Sequence, residues 1–67
     1  MKMVKVIEVI ASSEKGFSEA TENAVKEAAK TVKNIQSVYV EHMNANVENN
    51  EIVSYAVNAK ISFVIES

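Results

Sequence analysis

An unbroken two-residue alternation runs from residue 53 to residue 65, and it restricts the fold of this chain more than any other feature. The odd positions carry Val53, Tyr55, Val57, Ala59, Ile61, Phe63 and Ile65. The even positions from 54 to 62 carry small or polar side chains. Because successive side chains of a strand point to opposite faces, this pattern predicts a long strand with one face buried.

A segment with helical periodicity precedes this strand, and we expect the helix to pack on the apolar face of the strand. In FSEATENAVKEAAKTVKN, residues 17–34, the apolar residues recur at three- and four-residue spacing and form one stripe. The stripe consists of Phe17, Ala20, Ala24, Val25, Ala28, Ala29, Val32 and Ile35. We expect Ser13 or Ser18 to cap the start of the helix and Asn34 to end it in the left-handed conformation. Because half of the stripe is alanine, the helix should lie close to the sheet.

Three strands are predicted, at residues 4–11, 36–47 and 52–65. Asn49 and Asn50 separate the last two and suit a tight hairpin turn, since asparagine tolerates positive φ. The first and last strands run in opposite directions. Pairing them gives an α+β fold in the order β-α-β-β, with a three-stranded antiparallel sheet (order 1-3-2) partly wrapped around one helix. The chain, residues 1–67, is predicted to form a single domain.

The segment NIQSVYVEHM, residues 34–43, has no clean apolar face. Strict alternation places Val38 and Val40 on the helix side together with His42 and Asn44, and it places Ser37, Tyr39, Glu41 and Met43 on the other side. The outer face then carries Tyr39, Met43, Ala45 and Val47. An apolar surface of that kind usually marks an interface.

The small size of the chain also predicts self-association. With 67 residues and no cysteine, the chain has a marginal core and no disulfide to reinforce it. The two long strands are also longer than the helix, at roughly 40 to 47 Å against about 25 Å. The uncovered length is expected to pack against neighbouring copies of the chain.

Composition argues against several classes of function. Seven lysines against nine acidic residues, with no arginine, do not suit nucleic-acid binding. There is no apolar run long enough to span a membrane and no signal peptide, so we expect a cytoplasmic protein. His42 is the only histidine and has no nucleophile partner, so we expect no enzymatic activity. VENNEI, residues 47–52, does not make a calcium loop, although glutamates from several copies remain able to form a metal site.

The chain resembles the dodecins from Val4 to Glu66. VKVIEVIASS is similar to the first strand of that family, FSEATENAVKEAAKTV to its helix, and YAVNAKISFVIE to its last strand. The resemblance implies a subunit that assembles into a hollow homododecamer. Many dodecins store flavins, stacked in pairs between tryptophans at a two-fold axis.

This sequence departs from the flavin-binding pattern at two positions. The stacking tryptophan of the family falls on Ser37, and the glutamine that contacts the flavin falls on Ala56. Tyr39, two residues after Ser37, is a partial substitute. The sequence most resembles the branch described as calcium dodecins, which also lacks the tryptophan. We therefore expect a small-molecule or ion-binding shell, with Ser37, Tyr39 and Ala56 at the family's pocket positions, calcium as a possible ligand and no assigned metal ligands. The alternative is a structural or interaction shell without a ligand.

Overall fold

The computed structural model describes residues 2–66 and shows the predicted order of elements. These are β1 (Lys2–Ser13), α1 (Phe17–Ala28), β2 (Ile35–Glu48) and β3 (Glu51–Glu66). Both pairings are antiparallel, and the sheet order is β1-β3-β2. The α+β fold and its topology are therefore confirmed. Within residues 2–66, no helix is long and apolar enough to cross a membrane.

The core lies between α1 and the odd-numbered face of β3. Its buried apolar residues are Ala20, Ala24, Ala28, Val57, Ala59, Ile61 and Phe63. The three buried alanines of α1 lie about one helical turn apart, and their small side chains let the helix approach the sheet closely. The predicted face of β3 is thus confirmed in its central part. At its two ends, Val53 and Ile65 are 38% and 37% exposed.

The helix is shorter than the sequence pattern predicts. It ends at Ala28, and a turn follows in which the amides of Thr31 and Val32 both donate to the Ala28 carbonyl. Asn34 does have a positive φ of 63°, but it lies beyond this turn and does not directly follow the helix. Its carbonyl accepts a hydrogen bond of 3.1 Å from the amide of Val64. Asn34 therefore leads the chain into the sheet instead of ending the helix.

Neither serine caps the helix. No side chain accepts a hydrogen bond at the first residue of α1. The Ser13 hydroxyl instead accepts a 2.9 Å bond from the Lys15 amide and donates a 2.8 Å bond to the Glu19 carboxylate. The Ser13 side chain thus stabilises the turn between β1 and α1 and links it to the first turn of the helix, so the predicted cap is wrong.

The β2–β3 turn matches its prediction. Asn49 and Asn50 have φ values of 53° and 66°, and they are the only residues between the two strands. Positive φ at both central residues defines the type I′ turn, whose twist matches that of the flanking strands. The result is a long hairpin that extends past the helix and contributes to the 53 Å length of the subunit.

A bulge in β2 reverses the predicted faces of its second half. The pairing with β3 shifts between Val40 and His42, so that Glu41 is an extra residue. Beyond it Met43 lies opposite Val57, whereas His42 lies opposite Asn58. Because opposed residues share a face of the sheet, Met43 lies on the helix side and His42 on the outer side.

The same reversal applies to the remainder of β2. Asn44 and Asn46 lie on the outer side, opposite Ala56 and Ser54, while Ala45 lies on the helix side, opposite Tyr55. A further irregularity between Asn46 and Val47 pairs Val47 with Ile52. The prediction that Met43 and Ala45 lie on the outer face is therefore wrong, as is the placement of His42 and Asn44 on the helix side. Tyr39 alone of the four predicted apolar residues is assigned to the outer face by its pairing.

Candidate binding surfaces

The three predicted site residues lie on the outer side of the sheet but do not form one pocket within a subunit. Ser37 is opposite Ser62, Tyr39 is opposite Lys60, and Ala56 is opposite Asn44. Ala56 and Ser62 are six positions apart on β3, which corresponds to about 20 Å. A site that uses both Ser37 and Ala56 therefore requires either a large ligand or a second subunit.

Polar cross-strand contacts surround Tyr39. The hydroxyls of Ser37 and Ser62 are hydrogen bonded to each other, and the Lys60 ammonium lies 3.2 Å from the Glu41 carboxylate. The Tyr39 side chain itself is 64% exposed. An exposed aromatic ring beside an ion pair offers both a stacking surface and groups able to orient a polar ligand.

Asn58 is a functional candidate that the sequence reasoning did not single out. It lies in the central strand, between Ile10 of β1 and His42 of β2 on the outer side. Its Oδ1 atom is buried and has no hydrogen-bond partner among residues 2–66. Leaving such an acceptor without a donor costs about 1–3 kcal/mol. The sequence could have indicated Asn58 as a candidate, because it is a polar amide in the middle of a predicted strand.

Neither Ser37 nor Ala56 offers an aromatic surface on the outer face. Stacking of a planar ring such as a flavin needs an aromatic side chain. The Ser37 hydroxyl is hydrogen bonded to that of Ser62, and the methyl group of Ala56 cannot orient a polar ring edge. Tyr39 supplies the exposed ring nearest to Ser37 on this face.

The described part of a single chain does not assemble a metal site either. Among residues 2–66, no group of three or more His, Asp, Glu or Cys side chains comes together. Glu48 and Glu51 lie directly opposite each other next to the hairpin turn. Calcium takes six to eight oxygen ligands, more than the two carboxylates of this pair supply.

His42 lies on the outer side of the sheet, opposite the amide side chain of Asn58. The carboxylate of the neighbouring Glu41 is paired with Lys60. A general base needs a positioned partner from which to remove a proton.

An uncovered apolar surface lies on the helix side of the hairpin tip, which we define as residues 46–54. Phe17, the first residue of α1, packs edge-to-face on Tyr55 with ring centroids 5.0 Å apart. Beyond this contact the strands continue without the helix, and Val47, Ile52 and Val53 are 59%, 54% and 38% exposed. Met43, opposite the buried Val57, is 56% exposed at the edge of the covered part.

Solved structures share this fold over nearly the whole chain. A dodecin from Streptomyces coelicolor matches with a TM-score of 0.92 and 26% identity, covering 98% of this chain and 94% of that one. A variant of the Thermus thermophilus dodecin matches with a TM-score of 0.93 and 24% identity, covering 100% of both chains. Calcium dodecin from Mycobacterium tuberculosis, a calcium-chelating immunodominant antigen with a novel calcium-binding site, matches at 0.82 and 25% identity, covering 96% and 91%.

The sequence agrees with these structural matches. The family model for Dodecin matches residues 3–66. A comparison with curated protein sequences returned no match. This chain belongs to the dodecin family, as its sequence predicted.

Proposed function

We propose that this chain is a non-enzymatic binding protein that assembles into a hollow homododecamer and holds a small molecule or ion. The ligand is not a flavin in the usual stacked pose of the family. Its site lies on the outer face near Ser37, Tyr39 and Ala56, and it is completed by a second copy. A cytoplasmic location, expected from the sequence, is part of the same proposal.

The observation that carries the proposal is the large apolar surface that one subunit leaves uncovered. Among residues 2–66, ten large hydrophobic side chains are exposed, whereas the core has seven buried members, four of them alanine. Those ten side chains are Met3, Val4, Val6, Ile10, Tyr39, Met43, Val47, Ile52, Val53 and Ile65. With no cysteine in the chain, association with further copies is the available means of covering this surface.

The features of the outer face support a ligand there. Tyr39 offers a ring, the Lys60–Glu41 pair offers both signs of charge, and Asn58 Oδ1 lacks a donor. A ligand or neighbouring copy that brings a hydrogen-bond donor to Asn58 would satisfy that acceptor. A polar ligand with a planar apolar part suits this combination.

Native mass spectrometry of the protein as purified, in volatile buffer without chelator, tests the proposal. Twelve copies of the 7.4 kDa chain give about 89 kDa for a closed homododecamer. A measured mass above that of twelve chains supports a homododecamer with bound ligand, and the additional mass identifies the class of ligand. A bare particle with the mass of twelve chains favours the alternative of a structural shell, and a stable monomer or trimer contradicts the assembly.

Titration with riboflavin and with calcium separates the ligand classes. We expect no flavin binding by the native chain, because Ser37 offers no ring. The double variant Ser37→Trp, Ala56→Gln restores the family's residues and should gain flavin binding, detected by fluorescence quenching. If the native chain quenches flavin fluorescence as strongly as the double variant, the site assignment is wrong.

Calcium that changes the melting temperature of the assembly, but not of a dissociated subunit, would support a calcium site shared between copies.

A further inference from the structure

The two edges of the sheet differ in regularity. β1 pairs with β3 along its whole length, from Lys2 to Ser13, without a shift in register. β2, at the other edge, has three irregularities in its pairing with β3. Every second residue of an edge strand has backbone N–H and C=O groups that do not pair within its own sheet, and a long regular edge is a template for a further strand. β1 is therefore the edge that is better suited to adding one.

A groove of about 640 Å³ lies between this edge and the helix. It is lined by residues 10–12 of β1 and, from α1 and the turn after it, by Asn23, Lys26, Glu27 and Lys30. The Asn23 side chain donates a hydrogen bond of 3.0 Å to the carbonyl of Ser12. Side chains of the helix therefore reach the backbone at the β1 edge.

The lysines give this groove a positive charge. Lys30 lies 3.0 Å from the Glu27 carboxylate, whereas Lys26 forms no ion pair within residues 2–66, in which the paired lysines are Lys15, Lys30 and Lys60. Lys26 and Lys30 are four positions apart, which corresponds to about 6 Å along a helix. Alternate side chains of an extended chain lie about 7 Å apart on one face. Acidic residues at alternate positions of an added strand therefore match the spacing of the two lysines.

A second copy of this chain does not carry the required pattern. Its nine acidic residues are all glutamate, and no two of them are two positions apart in the sequence. On the helix side of the sheet, the charged residue of β1 is Lys5, and β2 has apolar residues from Val38 to Ala45. A strand from another copy would thus place a lysine or apolar side chains beside Lys26. The charges of the groove favour a different protein.

We propose that the β1 edge binds an extended segment of another protein, with acidic residues at alternate positions, as a fourth strand of the sheet. The backbone of the segment hydrogen bonds to β1, and its carboxylates lie against Lys26 and Lys30. This surface is on the helix side, away from Ser37, Tyr39 and Ala56. The proposal therefore does not depend on the ligand proposed for the outer face.

A fluorescently labelled peptide of sequence TETETET, blocked at both ends, is the probe. Fluorescence anisotropy should show saturable binding to the native chain, and the peptide TKTKTKT should not bind. The double variant Lys26→Glu, Lys30→Glu should raise the Kd for TETETET at least about tenfold, because attraction is replaced by repulsion. TETETET with a methyl group on each backbone nitrogen keeps its charge but cannot donate hydrogen bonds to β1, so it should not bind. Circular dichroism confirms that each variant is folded.

The double variant Lys15→Glu, Lys33→Glu is the matched control, because both lysines are exposed and lie outside the groove. It changes the net charge equally and should bind TETETET like the native chain. The proposal is overturned if the native chain shows no saturable binding, if both double variants lose binding equally, or if the methylated peptide binds as well as TETETET. It is also overturned if sedimentation velocity over a dilution series shows that reversal of Lys26 and Lys30, but not the control, weakens assembly. In that case a neighbouring copy occupies the groove.

Discussion

The helix-covered part of the hairpin and the hairpin tip are built from the same two strands but have different environments. In the covered part, Val57, Ala59 and Ile61 are at most 1% exposed. At the tip, Val47 and Ile52 occupy the same side of the sheet and are more than half exposed. Both parts of the hairpin carry apolar side chains, so the difference in their exposure comes from the length of α1, which covers only one of them. Its twelve residues span about 18 Å of a much longer hairpin.

This comparison distinguishes residues that stabilise the subunit itself from residues that the proposed assembly would cover. Residues under α1 stabilise the subunit at any concentration. In the proposed assembly, residues at the tip would stabilise the protein only when another copy covers them, and so their contribution would depend on concentration. Four substitutions test that distinction.

Ile61→Ala should have the largest effect, because Ile61 is fully buried beneath α1. The loss of transfer free energy and the cavity together lower the free energy of unfolding by about 2–5 kcal/mol. Urea unfolding followed by circular dichroism measures it at several protein concentrations. The matched control is Ile52→Ala at the tip, which should cost little in dilute protein and more in concentrated protein. If both variants lose the same free energy of unfolding at all protein concentrations, the tip and the covered part contribute to stability in the same way.

Ile52→Asp should abolish the contribution of the hairpin tip to assembly. The side chain is 54% exposed, so the subunit still folds, but a carboxylate in an apolar contact is strongly unfavourable. We expect the midpoint concentration of assembly to rise by at least about tenfold, a change of roughly 1.4 kcal/mol per contact. Sedimentation velocity measures this shift. An unchanged midpoint would show that the tip faces solvent in the assembled protein.

Tyr39→Glu should have a smaller effect on assembly. Tyr39 is on the outer face, where the surrounding contacts are polar. A glutamate there adds a second carboxylate beside the Glu41–Lys60 pair and should weaken assembly by several-fold, as a single rim substitution does. The same dilution series compares it with Ile52→Asp. If Tyr39→Glu proves the more disruptive of the two, the outer face is the principal subunit contact.

Asn50→Gly should have the smallest effect, and a favourable one. Asn50 has a φ of 66° in the type I′ turn, where Asn-Gly is the preferred pair. Glycine adopts this conformation without strain, and we expect a gain of up to about 0.5 kcal/mol in thermal unfolding. Asn50→Ala provides the opposing control, with a loss of about 1–2 kcal/mol because alanine is strained at positive φ. A stabilising Asn50→Ala would mean that the turn is not left-handed.

Some elements of this protein were predictable from local sequence. The alternation in β3 identified its central buried face, because the two-residue period of a strand is independent of its neighbours. The Asn49–Asn50 turn was also predictable, since few residues tolerate positive φ. The assignment of Ser37, Tyr39 and Ala56 to a binding site came from the family resemblance and stays a prediction.

Other features depend on contacts between distant residues. The bulge at Glu41 arises where β2 pairs with β3, and no residue type in this segment of the sequence indicates it. It moves Met43 to the helix side and His42 to the outer side, which strict alternation did not predict. The unpartnered oxygen of Asn58 likewise follows from the enclosure of that side chain in the central strand.

Periodicity and turn chemistry act over a few residues, and they were sufficient to predict the order of the elements, the antiparallel topology and the apolar side of β3. The end of α1 and the apolar side of the hairpin tip depend instead on contacts between residues far apart in the chain. The helical pattern continues beyond Ala28, but the hydrogen bond from Val64 to Asn34 draws the following chain into the sheet. Pairing across the sheet then sets the register of β2, since its hydrogen bonds are made with residues far away in the chain.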